Sequence, residues 1–297
     1  MNDYRKYLEP NVIAQLAGIE LKARLVVEGF ITGLHRSPYH GFSVDFSEHR
    51  PYRTGDETKN IDWKVFGRTD RYYVKQYEQE TNLRTVIAVD SSRSMAYASK
   101  GQISKYEYAI YLAAALSTLL IKQRDAVGLA LYDTEIHKYL PPKAKPSYLA
   151  EILKALANHE PANATHTAVA LDMLAEKVKS RGLVIVMSDF FDDKEAALKG
   201  LKHFRHRNNE VLVFQILDPR EIDFDFGYAA EFVDMETDEI MTTQPYQIRH
   251  SYQSEMQKHV DGIRKECLNH NIDYFLINTE MAFDKALKKY LAKRAKI

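Results

Sequence analysis

Between residues 84 and 278 the chain returns repeatedly to short, almost wholly apolar runs, and these constrain its fold more than any other feature. Arg84–Asp90 (RTVIAVD), 126–133 (AVGLALYD), Leu183–Ser188 (LVIVMS), 211–217 (VLVFQIL) and 272–278 (IDYFLIN) are rich in valine, isoleucine and leucine, and each ends at a polar turn. Runs of this length, apolar on both faces and separated by longer amphipathic stretches, describe strands covered by helices on both sides. That is the pattern of an α/β domain built on a mostly parallel sheet. Helices are expected over 104–123, 146–157, 165–180, 194–207, 247–269 and 282–294. Residues 135–140 (EIHKYL) alternate and run into Pro141-Pro142, which reads as a short edge strand hairpinned to its predecessor. Residues 229–245 read as a small antiparallel excursion.

Residues 1–81 have a different texture, polar, aromatic and turn-rich. They are expected to form an N-terminal appendage, with a helix over 11–29 followed by loops and short strands, ahead of an α/β domain over 82–297. The lone Cys267 allows no internal disulfide and reads as a small buried helical residue. The N-terminus is too charged for a signal peptide, and the longest apolar stretch, 108–121, falls short of the roughly 20 residues a bilayer span needs. A cytoplasmic chain without a membrane span is therefore expected. The 41 basic residues are matched by 41 acidic ones, which argues against non-specific nucleic-acid binding.

The chemistry gathers at strand ends. The first apolar run closes in Asp90-Ser91-Ser92-Arg93-Ser94, a D-x-S-x-S loop. Asp189 follows the run Leu183–Ser188, and Thr165 opens a helix after the polar turn 158–164. In open α/β sheets, ligands bind beyond the carboxyl ends of the strands. Carboxylates and hydroxyls without paired histidine or cysteine form an oxygen site for a hard cation. Mg2+ fits best, since it takes few carboxylates and keeps several waters; Mn2+ is tolerated, and Ca2+ asks for more protein oxygens. Such a site keeps a coordination position open, and a carboxylate from another protein can fill it. A Ser/Asp-rich loop after a strand also reads, more simply, as a turn and helix cap.

These five residues, Asp90, Ser92, Ser94, Thr165 and Asp189, resemble the metal-ion-dependent adhesion site of von Willebrand factor A domains, and the resemblance spans residues 82–290. It implies a doubly wound sheet of order 3-2-1-4-5-6 with one antiparallel edge strand. In that order Asp90 and Asp189 face each other across the switch point. Two departures stand out. Asn163-Ala164 precedes the threonine where two glycines are usual, and Ser188-Asp189-Phe190 replaces T-D-G. Glycine adopts backbone conformations that Ala and Phe resist, so both loops are expected to be shaped differently.

Upstream, Arg50-Pro51-Tyr52-Arg53-Thr54-Gly55-Asp56, then Asn60-Ile61-Asp62-Trp63, then 73–80 (YVKQYEQE) form an R-x-Y-x-x-G-D…I-D-W block. With the downstream site, this resembles the bacterial family known as domain of unknown function fifty-eight. Its genes often accompany those of MoxR-type AAA+ ATPases, so the resemblance implies an adaptor or accessory role in chaperone-like assembly or maturation. Within the block, Trp63 is expected to pack between the appendage and the α/β domain. Arg50, Arg53, Asp56, Asp62 and Arg68 are expected to form a paired charge cluster.

The resulting expectation is a metal-dependent protein-interaction module and not an enzyme. Two alternatives stay open: a metal-dependent phosphatase or hydrolase with Asp192, Asp193 or His166 as base, and a scaffold whose metal site is vacant. No P-loop, G-x-G-x-x-G or G-x-S-x-G occurs. His35, His40 and His49 fit no zinc spacing. His203 and His206 read as part of a solvated basic helix face, Asp192 and Asp193 as helix caps, and Tyr106, Tyr108 and Tyr111 as core or interface rings.

Overall fold

The computed structural model describes residues 10–11, 18–35, 49–52, 63–75, 83–162, 167–227, 230–233 and 240–294. These fall into two units, one of residues 1–36 with 83–297, the other of residues 37–82.

The larger unit is organised by six strands: β3 (Arg84–Asp90), β4 (Ala126–Tyr132), β5 (Ile136–Lys143), β6 (Leu183–Ser188), β7 (Glu210–Leu217) and β10 (Asp273–Asn278). β1 (His49–Pro51) and β2 (Tyr73–Lys75) belong to the smaller unit, and β8 (Ala230–Val233) with β9 (Ile240–Thr243) forms a separate antiparallel hairpin. The main sheet runs β10-β7-β6-β3-β4-β5, with every pairing parallel except that of the edge strand β5 with β4. Counted from β3 the order is 3-2-1-4-5-8, or the expected 3-2-1-4-5-6 once the hairpin is left out. The fold is a doubly wound α/β sheet of the von Willebrand factor A-like kind.

Alternate residues of each strand point to opposite faces, and the two cores divide accordingly. Ile87, Val89, Leu129, Leu131, Ile185 and Met187 face one layer of helices. That layer comprises α1 (Ile19–His35), α3 (Lys105–Lys122), α4 (Tyr148–Ala157) and α9 (Phe283–Arg294). Val86, Ala88, Ala130, Val184 and Val186 face the other, formed by α5 (Thr167–Lys177), α6 (Lys194–His206) and α8 (Pro245–Asn269). Burial on both faces is why these strands carry no polar alternation. Helix α3 lies deepest. A capping box starts it, with Glu107 N–H donating to Ser104 Oγ and Ser104 N–H to Glu107 Oε2, both at 3.0 Å. Tyr106, Tyr108 and Tyr111 are core rings, as expected.

Two expectations about this unit are revised. α1 is not part of a separate appendage: Ala23, Val26 and Val27 are buried in the α3 core, and Lys22 Nζ donates to Tyr111 OH at 2.7 Å. The boundary therefore falls near residue 36 and again at 83, not at 81/82. Nor do Pro141 and Pro142 end the edge strand. β5 passes through them because a register shift between Val127 and Leu129 takes up the extra residues. Gly128 sits at that shift, where a Cβ would meet Leu140 O at 2.5 Å.

In the smaller unit β1 and β2 pair antiparallel, and α2 (Trp63–Thr69) carries Phe66, which stacks on Tyr72 at 4.5 Å. Within the smaller unit the Trp63 ring stands edge-on to Phe66. It opens a seven-residue helix and meets Phe66 one turn on. The charge cluster lies mostly outside the described residues: Arg53, Asp56 and Asp62 are among those not described, as is His40. Among the described residues, no helix is long and apolar enough to cross a membrane.

Candidate metal centre

Parallel pairing of β3 with β6 sets Val89 opposite Met187, so the strands deliver Asp90 and Ser188 side by side at the carboxyl edge of the sheet. Ser188 Oγ donates to Asp90 Oδ2 at 2.5 Å, and Ser92 N–H donates to Asp90 Oδ1 at 2.9 Å. The chain then turns into a short 3-10 segment, Arg93–Ala96. Ser92 occupies its N-cap position, yet its hydroxyl makes no cap hydrogen bond. Instead it lies 3.1 Å from Ser94 Oγ, which donates to Asp189 Oδ2 at 2.9 Å. A continuous chain of oxygens thus links the β3 loop to the β6 loop across the switch point. The simpler reading, a turn with a serine cap, accounts for Asp90 Oδ1 but not for these two hydroxyls.

Asp90 is fully buried, and among the described residues no cation is paired with it. Burial first, and the negative charge of Asp189 second, push its pKa well above the ordinary carboxylate value, against the hydrogen bonds from Ser188 and Ser92. A buried carboxylate repelled by another and flanked by two hydroxyls is the chemistry a hard divalent cation relieves. The donor set therefore fits such an ion. Among the described residues there is no group of three or more His, Cys, Asp or Glu in ligating arrangement, so the donors here are two carboxylates and hydroxyls, not a zinc-type cluster.

Thr165 and His166 lie outside the described residues. The residues on either side are tied to the two loops: Ala162 N–H donates to Ser91 O at 3.0 Å, and Thr167 N–H to Asp192 Oδ2 at 3.0 Å. Asp193 caps α6 by accepting from Glu195 and Ala196 N–H. Asp193 therefore caps the helix that follows it, as first read, whereas Asp192 accepts from the start of α5 instead. His203 Nδ1 lies 3.2 Å from Asp172 Oδ1, so it ties α6 to α5 and does not merely face solvent. Cys267 is buried and its thiol is pushed up to about 12 by that burial, which suits a core residue and not a nucleophile.

Reasoning from the sequence missed Lys105, Glu221 and the residues that steady the Asp189 loop. The ammonium of Lys105, at the head of α3, is completely buried. It donates to Asp189 Oδ2 at 2.7 Å and to Glu221 Oε1 at 2.6 Å, and it sits 4.6 Å from the centre of the Phe191 ring. Burial pulls its pKa down, but Asp189 and Glu221 together outweigh this and hold it above the ordinary value. Burial pushes Glu221 up to about 7 even with Lys105 drawing it the other way. Glu221 belongs to α7 (Pro219–Asp223), where it also accepts from Asp218 N–H at 2.8 Å. Gln215 donates to the Asp189 carbonyl at 2.9 Å and is itself held by Tyr274 OH at 2.6 Å. Phe190, in the place of the usual glycine, takes φ 58°, the left-handed region, with its ring in the core.

The family model "Protein of unknown function DUF58" matches residues 48–262. The chain belongs to the DUF58 family. A relative from Mycobacterium tuberculosis, Uncharacterized protein Rv1480, is 27% identical over 218 residues, covering 72% of this chain and 68% of its own. Uncharacterized protein Mb1516 of Mycobacterium bovis matches to the same extent. Among solved structures, conserved hypothetical protein BatB from Bacteroides thetaiotaomicron superposes with a TM-score of 0.50 at 17% identity, covering 72% of this chain and all of that one, a likeness of fold. The SpRpn10 VWA domain superposes with a TM-score of 0.43 at 13% identity over 70% of this chain and 95% of its own. The DUF58 match begins in the smaller unit and takes in all of the described site.

Proposed function

We propose that this DUF58 protein is a cytoplasmic, metal-dependent protein-interaction module with no covalent chemistry of its own. Asp90, Ser92 and Ser94, with Thr165 and Asp189, would hold Mg2+ (or Mn2+, less readily Ca2+). The ion supplies one open coordination position, to be completed by an aspartate or glutamate of the partner. Asp90 carries the reading, as a buried carboxylate with no cation paired to it among the described residues, set among hydroxyls at the carboxyl edge of the sheet. Hydroxyl donors add no charge, so an ion held there keeps its appetite for an anionic ligand. Two of the candidate bases, Asp192 and Asp193, are engaged at helix starts, which favours binding over hydrolysis at those positions. A MoxR-type AAA+ ATPase is the partner proposed, on the family resemblance.

The test is titration of Mg2+ and Mn2+ by calorimetry on the native chain and on Asp90→Ala, followed by capture of a purified MoxR-type ATPase with and without chelator. Saturable binding that the variant loses by a hundredfold or more, about 3 kcal/mol, with capture lost alongside it, is the expected result. Capture that persists in chelator and in Asp90→Ala would overturn the reading.

A further inference from the structure

The site described above already contains a cation, and it belongs to the chain. Lys105 reaches Asp189 from α3, and its surroundings account for all of its charge: one carboxylate on each side and the face of Phe191 beyond. An ammonium completely buried between two carboxylates at 2.7 and 2.6 Å is a fixed part of the site. A lysine that merely happened to be nearby would turn its head to water.

Its effect falls unequally on the two strand-end carboxylates. A carboxylate oxygen accepts about two hydrogen bonds. Asp189 Oδ2, the oxygen turned toward Ser94, already receives two, from Lys105 and from Ser94. Asp189 Oδ1 takes the N–H of Phe191 at 3.2 Å. Among the described residues Asp90 has no such cation, and its oxygens receive Ser188 Oγ and Ser92 N–H. The oxygen of Asp189 nearest the serines is therefore occupied by groups of the fold itself.

We propose that Lys105 is a positioning residue that withholds Asp189 from direct ligation, so that Asp189 would help to hold the ion only through water, and so limits the negative charge offered to a metal ion. This rests on the metal reading of the site. The ion would meet one full carboxylate, Asp90, and the hydroxyls of Ser92 and Ser94. It is thereby held weakly by this chain and left with a net positive charge toward an incoming acidic side chain. Affinity for the metal and affinity for the acidic partner become opposed quantities, and Lys105 sets the balance in favour of the partner. Glu221 makes this arrangement stable, because it holds the far side of the ammonium and is itself fixed at the start of α7 by Asp218 N–H.

The experiment is Mn2+ binding to the full chain, read by calorimetry and by water-proton relaxation, which reports the waters on the ion. The variant is Lys105→Met with Glu221→Gln, which removes one charge of each sign and leaves Asp189 as the one carboxylate that has lost its ammonium. Glu221→Gln alone, which keeps the lysine, is the reference and remains informative if the double variant does not fold. Three results support the inference. The double variant binds Mn2+ about tenfold more tightly than the native chain. It carries fewer waters on the bound ion, as Asp189 enters directly. Glu221→Gln alone, by freeing the ammonium to serve Asp189 only, binds Mn2+ no more tightly than the native chain. A double variant with unchanged or weaker affinity and unchanged hydration would overturn it, as would tighter binding by Glu221→Gln alone. If the native chain binds nothing while the double variant binds, Lys105 is shown to exclude the ion. If neither binds, the metal reading itself has failed.

Discussion

Asp90 and Asp189 close neighbouring parallel strands, are equally buried, and are served in opposite ways. The β6 loop is held from every side: Lys105 on one Asp189 oxygen, Phe191 N–H on the other, Gln215 on the backbone carbonyl, and Tyr274 behind Gln215. The β3 loop gives Asp90 two neutral hydrogen bonds, and among the described residues no cation. Evolution of a fold usually neutralises a buried charge from within. Here it has done so for one carboxylate and, among the described residues, left its twin to the repulsion of Asp189, the contrast on which the proposed metal site rests. The contrast also separates two roles that the sequence motif joins. On the proposed reading Asp90 is the residue that would call for the metal, and Asp189 is the one the chain already serves.

Breaking the better-served half should have the largest effect on the metal-free fold. Lys105→Met leaves Asp189 and Glu221 buried and facing each other without their shared ammonium. Removing one partner of a buried ion pair costs about 3–5 kcal/mol, and denaturant unfolding in chelator should show a loss in that range. Addition of Mn2+ should recover part of it in the variant by more than it stabilises the native chain. A loss under about 1 kcal/mol would mean the pair is effectively solvated, and the contrast between the loops would collapse.

A smaller effect should sharpen the same contrast through pH. Burial lifts Glu221 from an ordinary 4.5 to about 7, so between those values the folded protein retains a proton that the unfolded chain has released. Stability from this group is complete below pH 4.5 and is lost as pH rises through 7. Glu221→Gln removes that slope. Unfolding free energies at the two ends of this window, in chelator, should fall with pH less steeply in the variant than in the native chain, by about 1–3 kcal/mol. Equal slopes would show that Lys105 keeps Glu221 ionised throughout.

How far these features could be read beforehand depended on how local their causes are. The sheet was legible because burial on both faces writes continuous apolar runs, and LVIVMS admits few alternatives. Asp90, Ser92 and Ser94 were legible because they share one loop with a fixed spacing. Lys105 was not, since a lysine at the first turn of a helix ordinarily stands in water. What buries it lies 84 residues away at Asp189 and 116 away at Glu221. The same distance problem hid the allegiance of α1, whose apolar stripe finds its partner Tyr111 and the rest of α3 only after 89 residues.

The smallest effect concerns the backbone that carries Asp189. Phe190 occupies the left-handed region at φ 58°, where a side chain other than glycine pays about 1–2 kcal/mol. It persists because the ring is buried against the core beneath α6, a gain of about 1.5–3 kcal/mol that offsets the strain. The two contributions separate in a pair of variants, since both Phe190→Gly and Phe190→Ala lose the ring while only the alanine keeps the steric penalty. Both should be less stable than the native chain, with Phe190→Gly above Phe190→Ala by about 1 kcal/mol in denaturant unfolding. The loop that glycine permits elsewhere would then be reached here by packing, and the geometry of Asp189 would not depend on having a glycine after it. If alanine instead equals or exceeds glycine, the ring is what forces the turn, and in the variants the β6 loop has relaxed away from Lys105 and Ser94.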